Sequence, residues 1–246
     1  MNCLKYFILF IALISTSIHA KSRSQDSFHV VTVATRNDPG LQMLLHSCQY
    51  NGITIDILGM GDPYLGNGQK LLYMLEYMKD LPNNDIVLFS DGFDTLFLND
   101  KKTILKKFLA MKVPCLFSAE VNCFPEPELC VYFPPSPTKF KYINTGNFIG
   151  YVGHLRQIFT NMNPIPNDCD QRQTIRYYVD GHQNEINLDY YCELFFPLHA
   201  LDRIDFSTRK KTKTVNCLST GTKPCIVHGN GLSKHFLDDI YKDIYK

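Results

Sequence analysis

The feature that most constrains this chain is an alternation of short apolar runs with helical segments along its first half. Phe28–Ala34 (FHVVTVA) is a β-branched run that stops at a polar turn, Thr35-Arg36-Asn37-Asp38-Pro39-Gly40. Leu41, Leu44, Leu45 and Cys48 then fall on one helical face, and Ile53–Leu58 reads as a second strand. Behind a glycine-rich loop, Gly59 to Gly68, the spacing of Leu72, Leu75 and Met78 predicts a helix over Gln69–Met78. Ile86–Phe89 is a third buried strand, ended by Ser90-Asp91. A helix around Thr103–Met111, which Asn99 or Asp100 can cap, and a strand over Cys115–Ser118 repeat the pattern. Alternation at this length predicts an α/β fold with a parallel-rich sheet and crossover helices. Ligands of such sheets sit beyond the carboxyl ends of the strands, so the loops after Ala34 and Phe89 are expected to face one cleft.

The second half is less regular. Asn122–Pro137 is rich in proline, holds two cysteines and reads as a long loop. Phe148–Val152 reads as a strand, His154–Met162 as a helix and Asn187–Phe196 as another strand.

Residues 1–20 read as an address. Lys5 supplies a positive start, Tyr6 to Ile14 is an apolar run too short to span a bilayer, and Ala20 is a plausible cleavage point. An uncleaved anchor is the alternative. Cleavage leaves residues 21–246, ample for one large domain, and no second long apolar stretch predicts stable membrane insertion. With 25 Lys+Arg against 24 Asp+Glu and no long basic run, the chain gives no support to nucleic-acid binding. The cluster Arg209, Lys210, Lys211 and Lys213 reads as a solvated turn. Cys3 lies in the leader, and an even set of eight cysteines behind it suits an oxidising compartment with some disulfides. Cys123/Cys130 and Cys217/Cys225 are the local loops to test first. Neither a Cys-x-x-Cys motif nor an Asn-x-Ser/Thr sequon occurs.

The sharpest chemical feature is Phe89-Ser90-Asp91-Gly92-Phe93-Asp94, two carboxylates flanking a glycine directly after a buried strand. Oxygen ligands at a strand end suit a hard cation such as Mn²⁺ or Mg²⁺, although Asp-Gly is also a common turn pair. Far along the chain, Ile226-Val227-His228-Gly229-Asn230-Gly231 ends an apolar run in a histidine and two glycines. His228 can complete a metal shell, with Gly229 and Gly231 leaving room for a phosphate; a packed histidine is the plainer alternative. Gly66-Asn67-Gly68-Gln69-Lys70 opens a helix and suits anion binding, yet Leu71 breaks the Walker pattern. Asp168-Cys169-Asp170-Gln171 places two more carboxylates before a helix, where they can cap it or work on a sugar. Asn144-Thr145-Gly146 offers polar contacts ahead of the Phe148 strand.

Taken in order, Val31-Thr32-Val33-Ala34-Thr35, Gly68-Gln69-Lys70, Asp91-Gly92-Phe93-Asp94, Asn144-Thr145-Gly146-Asn147-Phe148-Ile149-Gly150-Tyr151, Asp170-Gln171 and His228-Gly229-Asn230-Gly231 resemble the glycosyltransferase domain of procollagen lysyl hydroxylases. The resemblance runs from Val30 to about Gly231. It implies a GT-A fold, a Rossmann-like, mixed but mostly parallel sheet flanked by helices, using a UDP-sugar and Mn²⁺. By that analogy Asp91, Asp94 and His228 hold the metal, Val33, Ala34 and Thr35 lie by the nucleoside, and Lys70 approaches the diphosphate. Asn144, Gly229 and Gly231 complete the donor site. The family's acidic pair falls on Cys169-Asp170, so a cysteine stands where a carboxylate is expected. Asp170 is the carboxylate expected nearest the reacting carbon, with Asp168 in reserve.

The implied activity is transfer of glucose or galactose to hydroxylysine, or to a galactose already on it, in a collagen-like acceptor. The expected location is the endoplasmic reticulum lumen or the exterior. No room remains for the family's hydroxylase half, so a standalone transferase is expected. Two other readings stay open. A non-catalytic module would bind UDP-sugar and metal and scaffold a partner enzyme, and Cys169 is its main support. A secreted metal-dependent hydrolase would need a water-activating base, and no His-Glu-x-x-His motif supplies one.

Overall fold

A computed structural model describes residues 27–246; the leader expected over 1–20 lies outside them. Six strands build the main sheet: β1 (Phe28–Val33), β2 (Asp56–Leu58), β3 (Ile86–Ser90), β5 (Cys115–Glu120), β6 (Tyr142–Tyr151) and β7 (Leu188–Asp189). Their order is β2-β1-β3-β6-β5-β7. Only β6 runs against its neighbours, pairing antiparallel with β3 and β5, so the sheet is mixed and mainly parallel. A second sheet of three strands orders as β4 (Thr95–Phe97), β11 (Ile226–His228) and β8 (Phe195–Pro197). A hairpin of β9 (Phe206–Arg209) and β10 (Thr214–Cys217) stands apart.

The helices are α1 (Pro39–Tyr50), α2 (Gln69–Met78), α3 (Lys101–Met111), α4 (Val152–Met162), α5 (Asp170–Tyr177) and α6 (Lys234–Tyr245). They cover both faces of the main sheet, because strands buried on both faces project successive side chains into two cores. Val31, Val87, Phe89 and Phe117 face one core with α2 and α4, while Val30, Leu88 and Leu116 face the other with α1 and α3. Phe89, Phe148 and Phe117 stack across three adjacent strands, with ring centroids 4.9 Å apart at each step. Each such pair adds roughly 0.5–1.5 kcal/mol beyond its burial.

Several boundaries differ from the expectation, each for a local reason. Of the two candidate caps for α3, Asp100 is the one used: its carboxylate accepts the Thr103 amide at 2.8 Å. The strand expected over Ile53–Leu58 shortens to β2, and the one expected from Phe148 begins at Tyr142. The strand expected over Asn187–Phe196 splits into β7 and β8. Asp189 causes the break, accepting the amides of Glu193, Leu194 and Phe195 at 2.9, 2.8 and 2.9 Å and folding the chain into a turn. The proline-rich loop holds a 3₁₀ turn over Pro127–Tyr132. Neither Cys123/Cys130 nor Cys217/Cys225 is bonded, and all eight described cysteines are thiols.

One irregularity shapes everything that follows. Between β5 and β6 the register jumps from Phe117↔Phe148 to Ser118↔Asn144. Thr145, Gly146 and Asn147 therefore bulge out of that ladder, and bulges re-aim side chains next to sites.

Candidate active site

The bulge lies beside the loops that follow β1 and β3, and Thr35 and Asp91 line one cleft of about 350 Å³ with it. The turn Asp91-Gly92-Phe93-Asp94 carries the chain from β3 of the main sheet to β4 of the second. Its ends are closed by the Thr95 hydroxyl, which donates to the Asp91 carbonyl, and by the Asp91 amide, which donates to the Gly146 carbonyl at 2.8 Å. Gly92 is needed for close approach: a Cβ there would sit 2.7 Å from the Val33 carbonyl oxygen.

His228, the last residue of β11, arrives from the far end of the sequence. Its Nε2 lies 3.3 Å from Asp94 Oδ1 and 3.7 Å from Asp91 Oδ2. One ligand atom from each of Asp91, Asp94 and His228 falls within 4.8 Å of the others. On the other side of the ring, Nδ1 lies 3.2 Å from Asn144 Oδ1. An acceptor there favours the Nδ1–H tautomer and leaves the Nε2 lone pair toward the carboxylates, the way metal-binding histidines are commonly oriented. Two carboxylates and one imidazole make a donor set suited to Mn²⁺ or Mg²⁺. Burial alone would lower the His228 pKa, but Asp94 and Asp91 outweigh it and raise it.

Lys70 enters from the first turn of α2, 9% exposed. Its Nζ lies 2.9 Å from Asp91 Oδ1 and 2.6 Å from Asp170 Oδ2, and 5.3 Å from the centre of the Phe89 ring. Burial would lower its pKa; Asp170 and Asp91 outweigh burial and raise it, so the ammonium stays charged. Asp170, at the start of α5, also accepts the Thr145 hydroxyl from the bulge. One cation thus bridges Asp91 and Asp170 across the cleft.

The expected site residues divide. Val33, Thr35, Lys70, Asp91, Asp94, Asn144, Asp170, His228 and Gly231 all line the cleft. Ala34 does not: its side chain is fully buried in the second core, since it points to the opposite side of the strand end from Val33. Gly229 is absent from the lining too. Its amide donates to the Asp94 carbonyl at 2.8 Å, and a Cβ on it would meet Leu237 Cβ at 2.8 Å, so it serves the packing of α6. Asp168 faces away, with Oδ1 accepting Arg172 Nη1 at 2.5 Å and the Cys169 amide at 2.7 Å. Cys169 itself lines the cleft beside Asp170.

Sequence reading missed Glu120, the last residue of β5 and 2% exposed. Its carboxylate accepts three amide groups: Gln171 Nε2 at 2.6 Å, Asn144 Nδ2 at 3.2 Å and Asn230 Nδ2 at 2.9 Å. Burial pushes its pKa up, and the three donors oppose that. Glu120 therefore sits behind Asn144, which sits behind His228. Its signal was the one that marks Asp91, a carboxylate directly after a buried apolar strand.

The chain matches the family model described as "PLOD GT domain" over residues 24–245. It is 29% identical over 227 residues to human procollagen-lysine,2-oxoglutarate 5-dioxygenase 2, covering 87% of this chain and 31% of that protein. It is 30% identical over 219 residues to the human multifunctional procollagen lysine hydroxylase and glycosyltransferase LH3, covering 83% of this chain and 30% of that protein. The chain thus spans under a third of the length of these relatives. A solved glycosyltransferase involved in glycosylation of the major capsid of PBCV-1 superposes with a TM-score of 0.46 at 11% identity, over 89% of this chain and 100% of that one. With the family model spanning nearly all the described residues, the chain belongs to the family of glycosyltransferase domains found in procollagen lysyl hydroxylases.

Proposed function

We propose that this domain moves glucose or galactose from a UDP-sugar to a hydroxylysine-linked acceptor of collagen type. The observation that carries the reading is the convergence of Asp91, Asp94 and His228 on one point of the cleft, with the Lys70–Asp170 pair beside it. Asp91, Asp94 and His228 would hold Mn²⁺, whose chemistry is to neutralise a diphosphate and ease its departure.

The chain's own residues supply the rest. Lys70 keeps a fixed positive charge at the cleft floor, already desolvated and needing no reorganisation when negative charge develops on a leaving diphosphate. Thr145 and Lys70 hold the Asp170 carboxylate in one orientation, facing the space a transferring sugar would take. The Glu120–Asn144 relay fixes the tautomer of His228. Val33 and Thr35 form the wall where a nucleoside would lie. Asp168 is spent on Arg172, so it is Asp170 alone that serves as the carboxylate near the reacting carbon. By the family, we place the domain in the endoplasmic reticulum lumen or outside the cell. No helix among the described residues is long and apolar enough to cross a membrane.

The deciding experiment measures UDP release from a panel of UDP-sugars, with and without Mn²⁺ and a hydroxylysine-bearing collagen peptide. Metal-dependent turnover that rises with the peptide supports the reading and names the donor. Binding of UDP and Mn²⁺ without turnover would replace it with the scaffolding module that Cys169 favours.

A further inference from the structure

Two cysteines from different elements come together beside the turn that leads into β8. Cys192 sits in the turn that Asp189 organises between β7 and β8, with a left-handed φ of 52°. Cys217 ends β10. One residue ties both backbones: the Thr222 hydroxyl donates to the Cys192 carbonyl at 3.1 Å, while the Thr222 carbonyl accepts the Cys217 amide at 3.0 Å. Both cysteines are fully buried in the same hydrophobic core. Two of the other thiols bond to backbone carbonyls. Cys123 donates to the Glu126 carbonyl at 3.3 Å and Cys115 to the Glu185 carbonyl at 3.3 Å.

We propose that Cys192 and Cys217 form a disulfide in the mature protein, closed as the chain folds in an oxidising compartment. This rests on the secretory placement above. Two thiols lose two protons and two electrons, and the electrons pass to a small-molecule or protein disulfide, which is reduced to two thiols. One of the two sulfurs attacks the oxidant's disulfide and releases one of its thiols, giving a mixed disulfide; the other cysteine's sulfur then displaces the oxidant's second sulfur. Since neither sulfur is exposed in the fold, closure belongs to assembly, before the β9–β10 hairpin packs down. The bond would fasten that hairpin to the turn leading into β8, which pairs in parallel with β11 and so backs His228.

The test is expression of the full chain through a eukaryotic secretory pathway, alkylation of free thiols in denaturant, and peptide mapping with and without reduction. The expected result is one cross-linked peptide pair joining Cys192 to Cys217. It should persist in Cys225→Ser and vanish in Cys217→Ser, and Cys192→Ser should lower the melting temperature as much as Cys217→Ser. Free Cys192 and Cys217 in a chain that carries other disulfides would overturn the pairing. If all eight thiols are free, the secretory placement is what fails. Refolding the reduced chain in a glutathione redox buffer then decides the pairing: a Cys192–Cys217 link supports it, and any other link, or none, overturns it.

Discussion

Replacing Gly146 with alanine should dismantle the metal site while leaving the chain folded. An ideal Cβ at Gly146 would lie 2.1 Å from His228 Cε1, 2.6 Å from Nδ1 and 2.8 Å from Asp91 Oδ2. Non-bonded carbons settle near ~3.5 Å, so the imidazole must retreat by about 1.4 Å or the bulge must move. Neither can give easily. His228 is held between β4 and β8, and Gly146 is fixed by its carbonyl on the Asp91 amide and its amide on Asn144 Oδ1 at 3.0 Å. Ligand distances tolerate only about 0.2 Å, so a displacement this large forfeits a ligand. We expect Mn²⁺ affinity to fall at least about 100-fold, or ~2.7 kcal/mol. Overpacking should cost the metal-free protein a further ~1–3 kcal/mol. Calorimetric Mn²⁺ titration reads the first effect, and thermal unfolding in chelator, followed by circular dichroism, reads the second. A Gly146→Ala protein with Mn²⁺ affinity and metal-free melting temperature unchanged would refute the argument that these three residues converge on one ion.

Glu120→Gln should lower stability by about 1–3 kcal/mol and weaken Mn²⁺ binding, because the new amide turns a donor toward one of three donors. Urea unfolding and the same titration check it; unaltered values would dissolve the Glu120–Asn144–His228 relay. Asp170→Asn should cut turnover at least about 100-fold, since a carboxylate near the reacting carbon is lost and Lys70 loses a partner. Asp168→Asn should leave kcat within a factor of about two and cost at most ~1 kcal/mol, as expected of a part-exposed ion pair. Burial acts to raise the Asp168 pKa, but the Cys169 amide and Arg172 hold it below the usual range. That small contribution is therefore complete above pH ~4 and lost as pH falls through the lower folded value. Stripping the metal with chelator, from Mn²⁺ at one hundred times its Kd, should lower the melting temperature by about 5–10 °C. No shift would argue against a metal site. Opening the Cys192–Cys217 loop with Cys217→Ser should cost secreted protein ~3.5 kcal/mol, given a closed loop of about 25 residues.

The convergence of Asp91, Asp94 and His228 was legible in the sequence because each lies at or just past an apolar run; the antiparallel pairing of β11 with β4, His228 opposite Thr95, then sets the histidine beside Asp94. Glu120 obeys the same rule but was hidden by ending its strand at Ser118, two residues early. Ala34, Gly229 and Asp168 lie outside the cleft lining for a different reason. Local pattern locates a residue near a cleft but does not say which side of the backbone its side chain takes, and Ala34 and Asp168 turn away, while Gly229 is given over to its bond to Asp94 and its contact with Leu237. The approach of Cys192 to Cys217 was illegible because it depends on the turn at Asp189 and on Thr222, which bonds to both backbones.

The passage of the chain from one sheet to the other has a dynamic consequence. Asp91 closes the main sheet, Asp94 opens the second, and His228 belongs to the second alone, so an ion among them is a clasp between two separately hydrogen-bonded units. Without it, the three-stranded sheet can open as its own cooperative unit, and its amides exchange with solvent at a lower free energy than those of β1 and β3. With it, the two openings become one event. Hydrogen exchange in β4 and β11 would then slow on metal addition until it matches the slowest amides of the molecule.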